Sequence, residues 1–212
     1  MKVLASCDSI YFIEHYKAFY FSAKNVGYTP NIVVINPTEE VRRIGDTLDN
    51  ISYITHRSPD KVYYSINRFM IAHSFIKDEG ILITDIDCFF NKKLPEIKED
   101  VGLFLREYEK FPGMKVAAGI VWINNTSNGL LFAEKLKNQI NEKPKNWFVD
   151  QYALYEVYLN LKDSLSVFPF DKKHMDWEFT NTSYMWTGKG DRKYKNKEYL
   201  QRKREIENEV FK

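Results

Sequence analysis

Short apolar runs alternate with stretches of helical periodicity through the first part of the chain. Lys2 to Ser6 reads as a strand that ends at Cys7-Asp8-Ser9. Ile13, Tyr16, Tyr20 and Ala23 follow at spacings of three and four, the pattern of one helix face, and Gly27 closes that helix. Thr29-Pro30 predicts a turn, and Ile32-Val33-Val34-Ile35 a second strand stopped by Asn36-Pro37. Thr38 is a helix cap before Glu39-Glu40-Val41, and Ile51-Ser52-Tyr53-Ile54 is a weaker third strand. Ser58, as cap, and Pro59, in the first turn, open the next helix, whose buried face is traced by Val62, Ile66, Phe69 and Ile76. After Gly80 comes the most apolar run, Ile81-Leu82-Ile83-Thr84, which leads into Asp85-Ile86-Asp87-Cys88-Phe89-Phe90.

The second half is less regular. Val101–Leu105 and Val116–Ile123 read as strands, and the low bulk of Ala117-Ala118-Gly119 leaves room for a ligand against the backbone. A helix starts at Asn128-Gly129, Pro144 breaks the chain, and Asp150 through Leu161 is helical. Beyond Pro169 the pattern turns irregular and ends in a basic tail.

Alternating strands and helices imply a mostly parallel sheet with helices on its faces. In such sheets ligands bind beyond the carboxyl ends of the strands. Asp8 ends the first strand, and Asp85 and Asp87 end the fourth, so all three face one crevice. Residues two apart on a strand share a side, which makes Asp85 and Asp87 project together with Ile86 turned away. Paired carboxylates after a buried strand need a counter-charge, and a hard divalent cation that also holds a diphosphate supplies one.

Composition narrows the picture only slightly. The chain has 212 residues, 44% hydrophobic and 16% aromatic, with a net charge of +2. That charge announces no nucleic-acid partner. No apolar stretch reaches the roughly 18 residues of a membrane span. Met1-Lys2 runs directly into Val3-Leu4-Ala5, too short for a signal peptide. Cys7 and Cys88 make no disulfide framework, so a reducing, cytoplasmic setting is expected. Without internal repeat or low-complexity linker, we read one domain over 1–212. Its regularly alternating part covers about 1–90 and its less regular part about 91–212.

Asp-x-Asp has other uses. An EF-hand fails, because its further acidic positions and its Gly are missing. A phosphatase of the haloacid dehalogenase type also places Asp-x-Asp after an apolar strand, with the first Asp as nucleophile. That motif is usually followed by a small hydroxyl residue or Gly, where this chain has Cys88-Phe89.

The ordered motifs resemble those of GT-A glycosyltransferases, in particular the retaining group that includes glycogenin and bacterial lipopolysaccharide galactosyltransferases. Val3-Leu4-Ala5-Ser6-Cys7-Asp8-Ser9-Ile10-Tyr11 is similar to the family's first strand, whose end holds uracil and ribose. Tyr64-x-x-x-Arg68-Phe69 resembles the helix before the metal motif, and Leu82-Ile83-Thr84-Asp85-Ile86-Asp87 the metal motif itself. Ala117-Ala118-Gly119-Ile120-Val121-Trp122-Ile123-Asn124 resembles the Asn-Ala-Gly strand, with Ala117 replacing its Asn. Asp150-Gln151 matches the pair that contacts the donor sugar. Thr187-Gly188-Lys189-Gly190-Asp191-Arg192-Lys193 resembles the His-x-x-Gly-x-x-Lys segment, with Thr187 where the family has its third metal ligand.

The resemblance implies an α/β fold, a GT-A type Rossmann-like domain with a mostly parallel central sheet and helices on both faces. It implies a hexosyltransferase that moves a sugar from a UDP-sugar to a glycan or other hydroxyl acceptor, with retention. Mn2+, or Mg2+, would sit on Asp85 and Asp87. Ala5, Cys7, Asp8, Tyr11, Arg68, Asp85, Ile86, Asp87, Gly190 and Lys193 would bind the nucleotide sugar. Asp8 would accept the uracil N–H, Tyr11 would stack on the ring, and Arg68, off its helix's apolar face, would reach the donor. Asp150 would bond the sugar hydroxyls, with Gln151 beside the anomeric carbon. Lys189, Arg192 and Lys193 would clamp phosphates from a flexible tail. His174 is the nearest upstream histidine, and Asp176 with Trp177 suits an acceptor wall. The basic tail also suits an anionic membrane surface. A silent nucleotide-sugar-binding domain is the alternative that Thr187 raises.

Overall fold

Successive residues of the first strand point into different cores. Val3, Ala5 and Cys7 pack with Phe12 and Phe19, whereas Leu4 packs with Ile66 and Phe69 on the opposite face. This is the period of two expected of a strand covered by helices on both sides. The computed structural model describes residues 1–57 and 59–209. Its elements are β1 (Lys2–Asp8), α1 (Ser9–Asn25), β2 (Thr29–Ile35), α2 (Glu39–Gly45), β3 (Ile51–Ile54), α3 (Lys61–Ile71), β4 (Ile81–Thr84) and β5 (Cys88–Phe90). There follow β6 (Val101–Leu105), β7 (Val116–Ile123), α4 (Ser127–Glu142), α5 (Val149–Leu161), β8 (Val167–Pro169), β9 (Met185–Thr187), α6 (Arg192–Lys195) and α7 (Lys197–Glu209).

A seven-stranded sheet has the order β3-β2-β1-β4-β7-β6-β8. All its neighbours pair in parallel except those of β7, which runs against β4 and β6. The α/β fold with a mostly parallel sheet is therefore observed. Residues of α1 and α2 cover one face, and residues of α3, α4 and α5 the other. With β7 alone reversed, β1, β4 and β6 end on one edge. That edge receives Asp8, Asp85 and, after β6, Arg106.

Local chemistry accounts for the boundaries. Asp8 caps α1 by accepting the Tyr11 N–H at 2.8 Å, and Thr38 caps α2 through the Val41 N–H. The cap of α3 is Asp60, which accepts the Tyr63 N–H at 2.7 Å. The expected cap, Ser58, lies outside the described residues. β2 begins at Thr29 rather than Ile32, so Thr29-Pro30 is strand and not turn. Thr29 donates to Met1 and Ile32 to Asn50, so the missing N–H of Pro30 falls on the side where β3 has not yet begun.

The irregular segment and the basic tail are also ordered. β9 pairs antiparallel with β5, matching Thr187 to Cys88. In α7, Tyr199 and Ile206 lie seven residues apart on one face and pack with Ala18, Phe89, Phe179 and Trp186. A flexible tail is expected because its charges outnumber its apolar residues, but the two well-spaced anchors Tyr199 and Ile206 suffice to dock it. Among the described residues, no helix is long and apolar enough to cross a membrane.

Tyr199 is 1% exposed, and its hydroxyl donates to the Asp87 carbonyl at 2.8 Å. Replacing Tyr199 by Ala is expected to cost about 3–5 kcal/mol of folding stability in chemical denaturation, the range for deleting a buried ring. A solvated tail would give almost no change.

Candidate active site

Asp85 and Asp87 stand on the turn that joins β4 to β5, not within a strand. The strand alternation expected for them therefore does not apply. Their placement is set by partners instead. Arg68, on the last turns of α3, donates from Nη1 to Asp85 Oδ1 at 2.7 Å. Its Nη2 lies 3.7 Å from Asp150 Oδ2 and donates to the Ala118 carbonyl at 3.2 Å. Arg68 is 4% exposed, yet it lies among carboxylates and not in the apolar cluster that Ile66 and Phe69 join. The end of α3 turns its last residues inward, and the guanidinium is buried because two carboxylates pair with it.

The second half of the pair is held from the C-terminal segment. Lys193 Nζ lies 2.7 Å from Asp87 Oδ2 and donates to the Tyr11 hydroxyl at 3.0 Å. It also sits 4.5 Å from the centre of the Tyr11 ring. Burial, reinforced by the charge of Asp85, pushes the Asp87 carboxyl up to about 6, although Lys193 and Arg68 pull the other way. Burial works against the Lys193 ammonium, but Asp87 more than offsets it and raises that group above its ordinary value.

Asp150 and Gln151 open α5. Phe148, just before them, has φ of +73°, a left-handed conformation that a bulky residue adopts at a cost of about 1–3 kcal/mol. Asp150 is 7% exposed, and burial raises its carboxyl despite the opposing charge of Arg68. Gln151 Oε1 accepts from Arg106 Nη2 at 3.1 Å. Arg106 was not singled out in the sequence. The available signal was its position, because it closes the apolar β6 as Asp85 closes β4.

The other expected residues fall into distinct settings. Asp8 is half-buried, with Oδ1 committed to the α1 cap. Its charge and local burial raise the Tyr64 hydroxyl. Ala5, Cys7 and Ile86 are buried side chains of the α1-side core, so contact with a ligand is left to their backbone. Gly190 is exposed, with φ of +60° in the loop before α6. The space beside Gly119 is filled from within the protein. A Cβ there would lie 2.9 Å from Asp85 Oδ2 and 2.8 Å from Met175 Sδ, so the small residue makes room for the carboxylate, not directly for a ligand.

Thr187 is buried in β9, and His174 is occupied elsewhere: its Nδ1 lies 2.7 Å from Asp171 Oδ1, and its ring stacks on Tyr184. Asp176 is not an acceptor wall. It accepts from the Glu178 N–H, the Thr180 N–H and hydroxyl and the Ser183 hydroxyl. Burial opposes its ionisation, but these donors hold its carboxyl below the usual range. Trp177 remains partly exposed, stacked on Phe104 at 6.0 Å.

The donor set fits a hard divalent cation of the magnesium or manganese kind. Two carboxylates on one turn each have an oxygen not taken by their ion pair, and the side chain of Asp85 is 38% exposed. Among the described residues, no group of three or more His, Cys, Asp and Glu converges to hold a metal. Such cations accept this poverty of protein ligands, since they commonly bind through one or two carboxylates plus substrate phosphates. Asp85, Asp87 and Asp150 face Arg68 and Lys193, which leaves one negative charge for a cation to balance.

Replacing Arg68 by Ala should cost about 3–5 kcal/mol in urea denaturation, because it strands the buried Asp150 and the half-exposed Asp85 without a counter-charge. A loss below about 1 kcal/mol would mean that the network is solvated.

Comparison with known proteins gives likeness in structure alone. No family sequence model matches the chain, and no curated protein sequence does. The apo form of the glycosyltransferase GlyE of Streptococcus pneumoniae TIGR4 superposes with a TM-score of 0.63 at 16% identity, over 99% of this chain and 62% of that one. The apo bifunctional glycosyltransferase WbbM gives 0.67 at 14%, over 100% of this chain and 51% of the other. The galactosyltransferase LgtC, in complex with donor and acceptor sugar analogues, gives 0.60 at 12%, over 99% and 96%. The chain thus spans under two thirds of the GlyE and WbbM chains. At these identities the likeness establishes architecture, and the architecture is the GT-A glycosyltransferase fold, as the motif order implied.

Proposed function

We propose that the protein is a metal-dependent glycosyltransferase that moves a hexose from a UDP-sugar to a glycan or other hydroxyl acceptor, with retention of anomeric configuration. The observation that supports it best is the joining of separate segments at one sheet edge. Tyr11, Lys193 and Asp87 are linked on one side, and Asp85, Arg68 and Asp150 on the other. These are the positions that the resemblance assigns to nucleotide, diphosphate and sugar.

In this reading Tyr11 offers its exposed ring to the base, and the free Asp8 oxygen accepts the uracil N–H. Asp85 and Asp87 would hold Mn2+ or Mg2+, which when bound would supply Lewis-acid stabilisation of the charge on the diphosphate. Lys193, already at Asp87, supplies a second positive charge to the phosphates. Asp150, fixed by Arg68, accepts from sugar hydroxyls. Arg106 fixes Gln151 at the anomeric carbon. The acceptor oxygen bonds to the anomeric carbon as the bond from that carbon to the diphosphate oxygen breaks, and the hydroxyl proton passes to the departing phosphate oxygen. A phosphatase with Asp85 as nucleophile is the weaker reading, because the solved structures this chain resembles are glycosyltransferases.

Isothermal titration with UDP, run with and without Mn2+, tests the reading. Affinity should rise at least about tenfold with Mn2+, equivalent to about 1.4 kcal/mol, and the rise should vanish when Asp85 and Asp87 are both changed to Ala. Equal affinity with and without Mn2+ contradicts the metal role. Tight UDP binding without transfer to any hydroxyl acceptor would identify a silent binding domain.

A further inference from the structure

The cations at the carboxyl edge of the sheet are not all neutralised. Arg68 has Asp85 and Asp150, and Lys193 has Asp87. Arg106 has neither kind of partner. It is 4% exposed, its Nη2 donates only to neutral oxygens of Gln151 and Val116, and its Nε is buried without a partner. Among the described residues no carboxylate lies within ion-pair distance of it. A buried cation with nothing opposite is costly, and such costs persist where a ligand supplies the missing charge.

A second unpaired cation stands nearby. Lys189 is solvent-exposed, and its Nζ lies 4.4 Å from the centre of the Trp177 ring. Trp177 stacks in turn on Phe104 of β6, and Arg106 directly follows the end of that strand. Partial burial and the repulsion of Arg106 and Arg192 lower the Lys189 ammonium below its ordinary value, with the Glu109 carboxylate opposing the shift, so these positive charges feel one another. Burial likewise lowers the Arg106 guanidinium, with Glu109 opposing it from a distance. Mutually repelling cations beside an aromatic face make a site for an anion carried on a ring.

We propose that Arg106, Lys189 and Trp177 form an acceptor subsite for a sugar bearing a carboxylate or phosphate. This rests on the glycosyltransferase reading. Arg106 touches Gln151, the residue set beside the sugar in transfer, whereas the diphosphate already has Lys193 and the metal pair. The anion therefore belongs to the acceptor. The partly exposed Trp177 borders the acceptor ring, and the two cations select the charged form over a neutral sugar.

Tryptophan fluorescence with saturating UDP and Mn2+ tests this, using inorganic phosphate, glucuronate and glucose as probes. Phosphate and glucuronate should bind with UDP in place, and glucose at least about tenfold more weakly. Lys189→Ala, at an exposed position, should weaken phosphate binding about tenfold, as should Arg106→Met if it folds. Phosphate affinity unchanged by Lys189→Ala overturns the proposal. So does phosphate binding that UDP abolishes, which would assign these cations to the donor diphosphate. If UDP fails to bind while phosphate binding still depends on Lys189, the anion site stands and the donor reading falls. If UDP binds and phosphate does not, the acceptor subsite alone falls.

Discussion

A single buried guanidinium ties the site together. Arg68 comes from α3, Asp85 from the β4–β5 turn, Asp150 from the first turn of α5, and the Ala118 carbonyl from β7. None of these groups is placed by its own element alone. Asp85 lies past the end of its strand, and Asp150 lies two residues beyond Phe148, which is in a left-handed conformation. In a site of low polarity each of these carboxylates would be costly without the cation, and the cation without them. The arrangement is therefore cooperative, and it fixes carboxylates at one sheet edge before any ligand is present.

The topology makes this possible. Because β7 alone runs backward, β1, β4 and β6 finish on the same edge, where Asp8 ends β1, Asp85 follows β4 and Arg106 follows β6. Asp8 doubles as a helix cap, Asp85 and Asp87 share cations, and Arg106 orients Gln151. The C-terminal helices close the other side. Tyr199 and the Gly188 N–H both bond the Asp87 carbonyl, so α7 braces the same turn whose side chain Lys193 holds. A segment far away in sequence thereby becomes part of the wall of the site.

Much of the first half was legible because its strands are apolar runs bounded by caps and turns. Ile81–Thr84 is legible as a buried strand since nothing polar interrupts it, and Thr38 as a cap since a hydroxyl precedes an acidic first turn. The convergence of Asp8 with Asp85 followed from strand direction. Other features depend on contacts that periodicity does not carry. The burial of Arg68 depends on carboxylates seventeen and eighty-two residues away, and a charged side chain is read by default as exposed. Asp176 resembled a ligand-facing carboxylate, but its donors come from the turn that follows it. The docking of α7 rests on two apolar residues within a charged run, too few to register as a hydrophobic pattern. The role of Arg106 was missed for the same reason as the burial of Arg68.

The central claim is that Asp85 and Asp87 present a cation to a nucleotide diphosphate at this edge. It is tested most directly by anomalous diffraction from crystals soaked in Mn2+ and UDP-glucose. The account predicts one manganese peak in contact with carboxylate oxygens of Asp85 and Asp87 and with the diphosphate, and a base against Tyr11. A nucleotide bound elsewhere, or bound here with no manganese at the two aspartates, would contradict it.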